Sequence, residues 1–125
     1  MSEEKLRDII RALVFELTAM YYAPDSSIKN LFTSDDDFEG FLREVAGELS
    51  TAFSVNIDTD NIVSTAISRY RQTLEKLVLD VREIGPIMDK IRLTLEKVLL
   101  SHGVGRGRIS AIILNLLFRL RSVMS

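Results

Sequence analysis

Residues 101–117, SHGVGRGRISAIILNLL, interrupt an otherwise helical pattern, and how they are read decides the fold. Gly103, Gly105 and Gly107 recur at every second position, Arg106 and Arg108 follow the last two of them in alternation, and a strongly apolar run begins at Ile109. Glycine-rich phosphate cradles of the dinucleotide-binding and P-loop types need a strand in front of the glycines. Here a helical pattern precedes them, and neither fingerprint is matched. The stretch therefore reads as a turn between two helices. Gly103 suits the left-handed position that closes the upstream helix, and a new helix starts near Arg106. Two guanidiniums beside a helix N-terminus would permit a local anion contact at Arg106 and Arg108.

Downstream of the turn, Ile109, Ala111, Ile112, Ile113, Leu114, Leu116, Leu117, Phe118 and Leu120 leave no obvious wet face. Such a helix is expected to be buried, at the centre of its own bundle or against a partner. Upstream, Met88, Ile91, Leu95, Val98 and Leu99 form an apolar stripe after Gly85 and Pro86, with proline well placed at the first position of that helix. Before it, Ile62, Val63, Ala66, Ile67, Tyr70, Leu74, Leu77, Val78 and Val81 keep helical spacing, which predicts one helix of about five turns, capped by Thr59 or Asp60.

Ser34, followed three residues later by Asp37, opens a stripe of Phe38, Phe41, Leu42, Val45, Leu49 and Phe53. A short helical turn fits residues 28–32. Leu6, Ile9, Ile10, Leu13, Leu17, Met20 and Tyr21 define a first helix over about 3–22, capped by Ser2 and ended by Pro24. No strand-like alternation of useful length and no internal repeat interrupt this series. The expected fold class is all-α: a compact bundle of five long helices, with one further short helix and an apolar C-terminal helix that is central or at an interface. Residues 1–125 read as one helical domain.

The totals agree with that class. The chain has 125 residues, 46% of them hydrophobic and 27% charged, no cysteine and a net charge of −2. These values fit a globular chain able to bury a core without staples. The absence of cysteine excludes disulfides, zinc–thiolate sites and a cysteine nucleophile. The charge balance disfavours wholesale wrapping of nucleic acid, which needs a basic domain. The N-terminal MSEEKLRD lacks a basic n-region, so no signal peptide is expected. The run 109–117 is too short and too polar to span a bilayer, so no membrane span and a cytoplasmic, soluble chain are expected.

Few residues invite chemistry. His102 is the single histidine and sits in the glycine turn. Without a second histidine or a cysteine it reads as a solvated loop residue. Asp35, Asp36, Asp37 and Glu39 lack the alternating ligands and turn glycine of a calcium loop, and read as a helix N-terminus favoured by the dipole. Glu48, Glu75, Asp80, Glu83 and Asp89 occupy ordinary solvated positions. The expectation is a protein without catalytic residues, cofactor or metal.

A resemblance gives a sharper expectation. The stretch HGVGRGRI resembles the BH1 motif of the Bcl-2 family, D-G-V-N-W-G-R-I, with Gly103, Val104, Gly107, Arg108 and Ile109 in place and His102, Gly105 and Arg106 as departures. LREVAGEL is similar to the BH3 pattern at Leu42, Arg43, Ala46, Glu48 and Leu49, with Gly47 where an aspartate is usual. The family's usual plan has a buried central helix after BH1 and further helices beyond it. This chain's brevity there would suit a shortened viral relative.

The resemblance implies a Bcl-2-like inhibitor of apoptosis that sequesters BH3 helices in an apolar groove. Phe41, Leu42, Val45, Val98, Leu99, Val104 and Ile109 would line that groove. Gly107 would allow close approach, and Arg108 would pair with a carboxylate of the bound helix. A second reading rests on residues alone: a small helical subunit of a larger nucleoprotein or filament assembly. Arg106, Arg108, Arg119 and Arg121 lie in a C-terminal third with no acidic residue after Glu96. Nucleic-acid contact belongs only to this second reading. Both predict association, with the amphipathic helix of a protein partner or as a homo-oligomer, because the last helix is expected to offer more apolar surface than a five-helix monomer covers.

Overall fold

The computed structural model describes residues 1–124; Ser125 lies outside them. Five α-helices follow one another: α1 (Glu3–Tyr22), α2 (Asp35–Phe53), α3 (Thr59–Arg69), α4 (Val81–Ser101) and α5 (Arg106–Val123), with a single 3-10 turn at Lys29–Leu31. The described residues form no β-strand beyond an isolated bridge between Leu77 and Met124. None of the helices is long and apolar enough to cross a membrane.

Local chemistry sets the starts. The Ser2 hydroxyl accepts the Lys5 N–H at 3.2 Å, and the Ser34 hydroxyl accepts the Asp37 N–H at 3.1 Å. Each satisfies one of the amides that a helix leaves unpaired in its first turn. At α3 the cap is Asp58, whose carboxylate accepts the Asn61 N–H at 3.0 Å, and not Thr59 or Asp60. A carboxylate one residue earlier reaches the same amides and adds the favourable charge at the dipole's positive end.

α1 is the organising helix. It packs on α2, α3 and α5, and α4 closes the bundle against α2 and α5. Ten of its residues are buried, among them Ile9, Ile10, Leu13, Val14, Leu17 and Tyr21. Thr18 is the buried polar exception, and its hydroxyl donates to the Val14 carbonyl one turn back at 2.7 Å. At the end of α1, Tyr21 stacks on Phe38 with ring centroids 3.8 Å apart, and its hydroxyl donates to Asp35 Oδ1 at 2.7 Å. Burial, then the neighbouring Asp35 carboxylate, pushes the Tyr21 phenol up to about 12. The Tyr22 phenol is raised for the same reasons, burial first.

Two expectations are corrected here. The third helix does not run to Val81; it ends at Arg69. The chain must then cross from α3, seated on α1 and α2, to α4, seated on α2 and α5. Residues 70–80 make that crossing as an extended strap. Leu77 and Leu79 turn inward, while Val78 and Val81 are exposed. The Leu77 N–H donates to the Val123 carbonyl at 2.7 Å, tying the strap to the end of α5. The apolar spacing from Leu74 to Val81 thus imitates a helix, while burial over 77–80 alternates with a period of two.

Gly85 and Pro86 do not separate two helices either. α4 begins at Val81 and contains both. Proline at its sixth position removes one intrahelical bond near the N-terminus. The turn is held by a capping box: Arg82 N–H donates to Asp80 at 2.9 Å, and Asp80 N–H donates to Glu83 at 3.3 Å. The Arg82 guanidinium beside it, with the backbone bond second, holds the Asp80 carboxyl below its ordinary range.

The third correction concerns α5. It is neither central nor apolar all round. Ile109, Ile112, Ile113, Leu116, Leu120 and Val123 face the core, and the opposite side of the helix is open to solvent.

Candidate interaction surface

The glycine stretch is a joint. His102 ends α4, and Gly103 takes φ +78°, a left-handed conformation that glycine adopts without a Cβ penalty. Gly103 N–H donates to the Leu100 carbonyl at 3.0 Å, and Val104 N–H to the Leu99 carbonyl at 3.1 Å. These two bonds close the helix in a Schellman arrangement, and buried Val104 supplies the accompanying apolar contact. Gly105 then caps α5 without a side-chain hydrogen bond.

Side chains lock the joint to the rest of the bundle. His102 Nε2 lies 2.9 Å from Glu44 Oε2 on α2, and its ring meets Phe41 edge-on at 5.5 Å. The expected solvated histidine is therefore a tie between α4 and α2. Arg108 donates to the Ser27 carbonyl at 3.3 Å and to the Asn30 side chain. It pins the loop around the 3-10 turn to the start of α5. Arg119 donates to Glu16 on α1 at 2.8 Å. Of the four C-terminal arginines, Arg106 and Arg121 have guanidinium groups that make no hydrogen bond or ion pair among the described residues; the Arg106 carbonyl accepts the Ser110 hydroxyl at 3.2 Å.

The residues expected to line a groove lie elsewhere than on an open surface. Phe41, Leu42, Val45, Val98, Leu99, Val104 and Ile109 are all buried in the core, on α2, on α4, at the joint and at the start of α5, where α4 packs on both α2 and α5. The structure brings them together as core. Gly107 is exposed, with open space where a Cβ would stand, and it faces away from those seven. Arg106 and Arg108, the pair expected to contact an anion, are separated in role: Arg108 is engaged and Arg106 is open.

The acidic run is likewise occupied within the chain. Asp35 accepts the Tyr21 hydroxyl, and Asp37 accepts the Thr33 N–H at 3.0 Å. Among the described residues no three His, Cys, Asp or Glu side chains converge. Open clefts flank the 70–80 strap, one between Lys5, Asp8, Arg11 and Leu77, another between Phe15, Glu16, Tyr70 and Leu74; both have polar rims.

What stands out instead is apolar surface. Seven large hydrophobic residues are exposed, and six of them (Val78, Val81, Leu93, Leu100, Leu114 and Phe118) belong to the α4–α5 hairpin or the strap leading into it. Phe118 is 77% exposed and Leu114 72%. Spaced four residues apart, they share the outer face of α5 with Gly107 and Ala111. On α4, Leu93 and Leu100 share an outer face seven residues apart. Leu93 lies eight residues before the end of α4 and Leu114 eight residues after the start of α5, so the short turn brings the two to the same level. The hairpin thus exposes an apolar pair on each of its helices, with Asp89, Glu96 and Lys97 on the same side of α4.

Leu93 and Leu100 were legible in the sequence as residues left off the buried stripe of α4. Leu114 and Phe118 were not, because they were counted into a helix expected to be buried on every side. Set against family models, curated proteins and solved structures, the chain matches none of them.

Proposed function

We propose that this chain is a non-enzymatic helical subunit that associates with other protein through the outer face of its α4–α5 hairpin. One observation carries the reading: the exposed large side chains of the molecule are concentrated on that hairpin. Scattered surface leucines need no explanation, but exposed large side chains gathered on two adjacent helices favour an interaction surface. The guanidinium groups of Arg106 and Arg121, both without a partner among the described residues, frame the α5 part of it and favour carboxylates at the rim of whatever docks.

The test is affinity purification of the tagged full chain from cells that encode it, beside Leu93→Glu and Leu114→Glu. The wild-type chain is expected to bring down a stoichiometric protein that both variants lose while keeping their helical circular dichroism. Equal recovery by all three overturns the reading. The nucleoprotein form of the assembly adds a second arm. Binding of a single-stranded oligonucleotide should weaken steeply with salt and vanish in Arg106→Glu/Arg121→Glu.

BH3 sequestration is a second proposal, favoured by one placement: HGVGRGRI makes the turn between two long helices, as the resemblance implies. It requires the seam between α2, α4 and α5 to open and Arg108 to leave Ser27 and Asn30. Titration with BH3 peptides and their aspartate-to-alanine controls decides it. Micromolar binding lost in the controls supports capture, and no binding across a panel removes it.

A further inference from the structure

We infer that residues 70–79 are a hinge through which two copies of this chain exchange their α4–α5 hairpins, each hairpin seating on α1 and α2 of the other copy. The exchange makes no use of the outer face of the hairpin, so it stands apart from the docking reading above.

The first observation is where the chain divides. α1, α2 and α3 pack on one another, α4 and α5 pack on each other, and the hairpin sits on the rest through α4 on α2 and α5 on α1. α3 forms no substantial packing with either helix of the hairpin. The fold is thus a three-helix unit and a two-helix unit, joined along the chain by the strap alone. Polar contacts between the units include Lys97 to Glu48 at 3.0 Å, His102 to Glu44 at 2.9 Å and Arg119 to Glu16 at 2.8 Å. A hairpin from another copy meets the same partners in the same places, so the exchange needs no new complementary surface.

The second observation is how α3 ends. α1 stops at extended Ala23 before Pro24, α2 at a left-handed Ser54 and α4 at a left-handed Gly103. α3 has no such stop. Tyr70 keeps φ −59° and ψ −18°, and the chain holds no glycine or proline between Gly47 and Gly85. Of residues 71–79, only Thr73 and Val78 are not strong helix formers. Local preference therefore carries α3 on to about Leu79, and the closed fold prevents it. The strap is lightly held in return. The Leu77–Val123 bond ties its backbone to α5, and the side chains of Gln72, Thr73, Glu75 and Lys76 make no hydrogen bond or ion pair among the described residues.

The third observation is direction. α3 runs roughly parallel to α1: the Arg7 guanidinium donates to the Asn56 carbonyl, just before α3, at 2.8 Å, and Tyr70 at its far end stacks on Tyr22 with ring centroids 5.0 Å apart. Pro86 and Ile87 of α4 lie at the opposite end of α1, in one cleft with Met1 and Leu6. A helix carried on to Leu79 adds about 15 Å beyond Tyr22, which leaves Pro86 roughly 40 Å away. Asp80, even with residues 81–85 drawn out of α4, reaches about 20 Å. A helical 70–79 is therefore incompatible with a hairpin seated on its own chain and compatible with one seated on a second copy. The exchanged form gives up the Leu77–Val123 bond and the strap's cover beside Ala12 and Phe15, and gains helix in both chains.

The experiment refolds the full chain at several hundred micromolar and separates the products by size exclusion. A dimer is expected that persists on dilution, because each hairpin must leave a core before it can return. Chains carrying Glu48→Cys alone and Lys97→Cys alone, refolded together, test the exchange directly, since the chain has no cysteine of its own. A short thiol cross-linker should join the two chains in the dimer fraction and leave the monomer fraction unjoined. Lys76→Pro blocks a helical strap but not the closed one, and should lower the dimerisation constant at least about a hundredfold with unchanged helical circular dichroism of the monomer. Thr73→Ala/Val78→Ala should raise it about tenfold. Absence of a wild-type dimer overturns the inference, as does a dimer that does not cross-link, one that dissociates at once on dilution, or one that forms equally in Lys76→Pro.

Discussion

α1 and α5 are similar in length and in share of apolar residues, yet the bundle uses them in opposite ways. α1 is buried on three sides, by α2, α3 and α5; α5 rests on α1 and α4 and leaves its outer face to solvent. Judged by how far its apolar residues spread around the helix, α5 is the one to place at the centre. The contrast teaches that centrality depends on how many helices surround an element, whereas composition says only how much apolar surface needs cover. On α1 the fold supplies that cover. On α5 it supplies half.

The contrast can be broken by truncation. Leu13→Ala on α1 should cost about 2–5 kcal/mol, the range for emptying a closed core site. Leu114→Ala on α5 should change the stability of the monomer by no more than about 0.5 kcal/mol. Urea unfolding at a concentration below self-association measures both, and comparable costs would erase the distinction.

A smaller effect separates two glycines of one stretch. Gly103→Ala forces a side chain into the left-handed region and should destabilise by about 1–2 kcal/mol. Gly107→Ala enters open space on a helix and should be neutral or stabilising by up to about 1 kcal/mol. The same unfolding curves report the difference. Arg108→Ala removes exposed hydrogen bonds and should cost on the order of 0.5 kcal/mol. Its clearer signature is faster amide exchange at Leu31 and Phe32, whose N–H groups close the 3-10 turn that Arg108 pins.

The last prediction concerns α1 alone, because α5 contains no tyrosine. The Tyr21 phenol is higher in the folded chain than in the unfolded one, so folding favours its neutral form. Its contribution is fully present below pH 10 and is lost as pH rises through about 12. Thermal unfolding followed between pH 9 and 12 should show melting temperature falling across that window, with tyrosinate absorbance appearing together with unfolding. Tyr21→Phe should flatten the fall.

Much of the architecture was legible. The caps Ser2 and Ser34, the stripes of α1 and α2, the turn at 28–32 and the left-handed Gly103 follow from residue chemistry that acts within one or two turns of chain. The region from Tyr70 to Pro86 was misread because its signals conflict locally. Leu74, Leu77 and Val78 keep a helical period although that segment is not helical, and Gly85 and Pro86 look like a break although the helix, started one turn earlier by a capping box at Asp80–Glu83, runs through them. At the surface, Leu93 and Leu100 could be found by their place off the stripe. The residues expected to line a groove were recognised correctly as apolar and adjacent, but nothing in their order distinguishes the wall of an open groove from the seam of a closed core.

By itself, then, the sequence determined that the chain is all-helical, where most helices start and stop, and that its C-terminal end is basic and apolar at once. These are properties of nearest neighbours along the chain: hydrogen bonds to caps, the 3.6-residue period and the conformational freedom of glycine. Only the tertiary structure decided which apolar helix lies inside, where the strap crosses, that Arg108 and His102 serve as ties, and that Leu93, Leu114 and Phe118 stay exposed. Those outcomes depend on which elements meet in space, and burial is a property of the meeting, not of the residue.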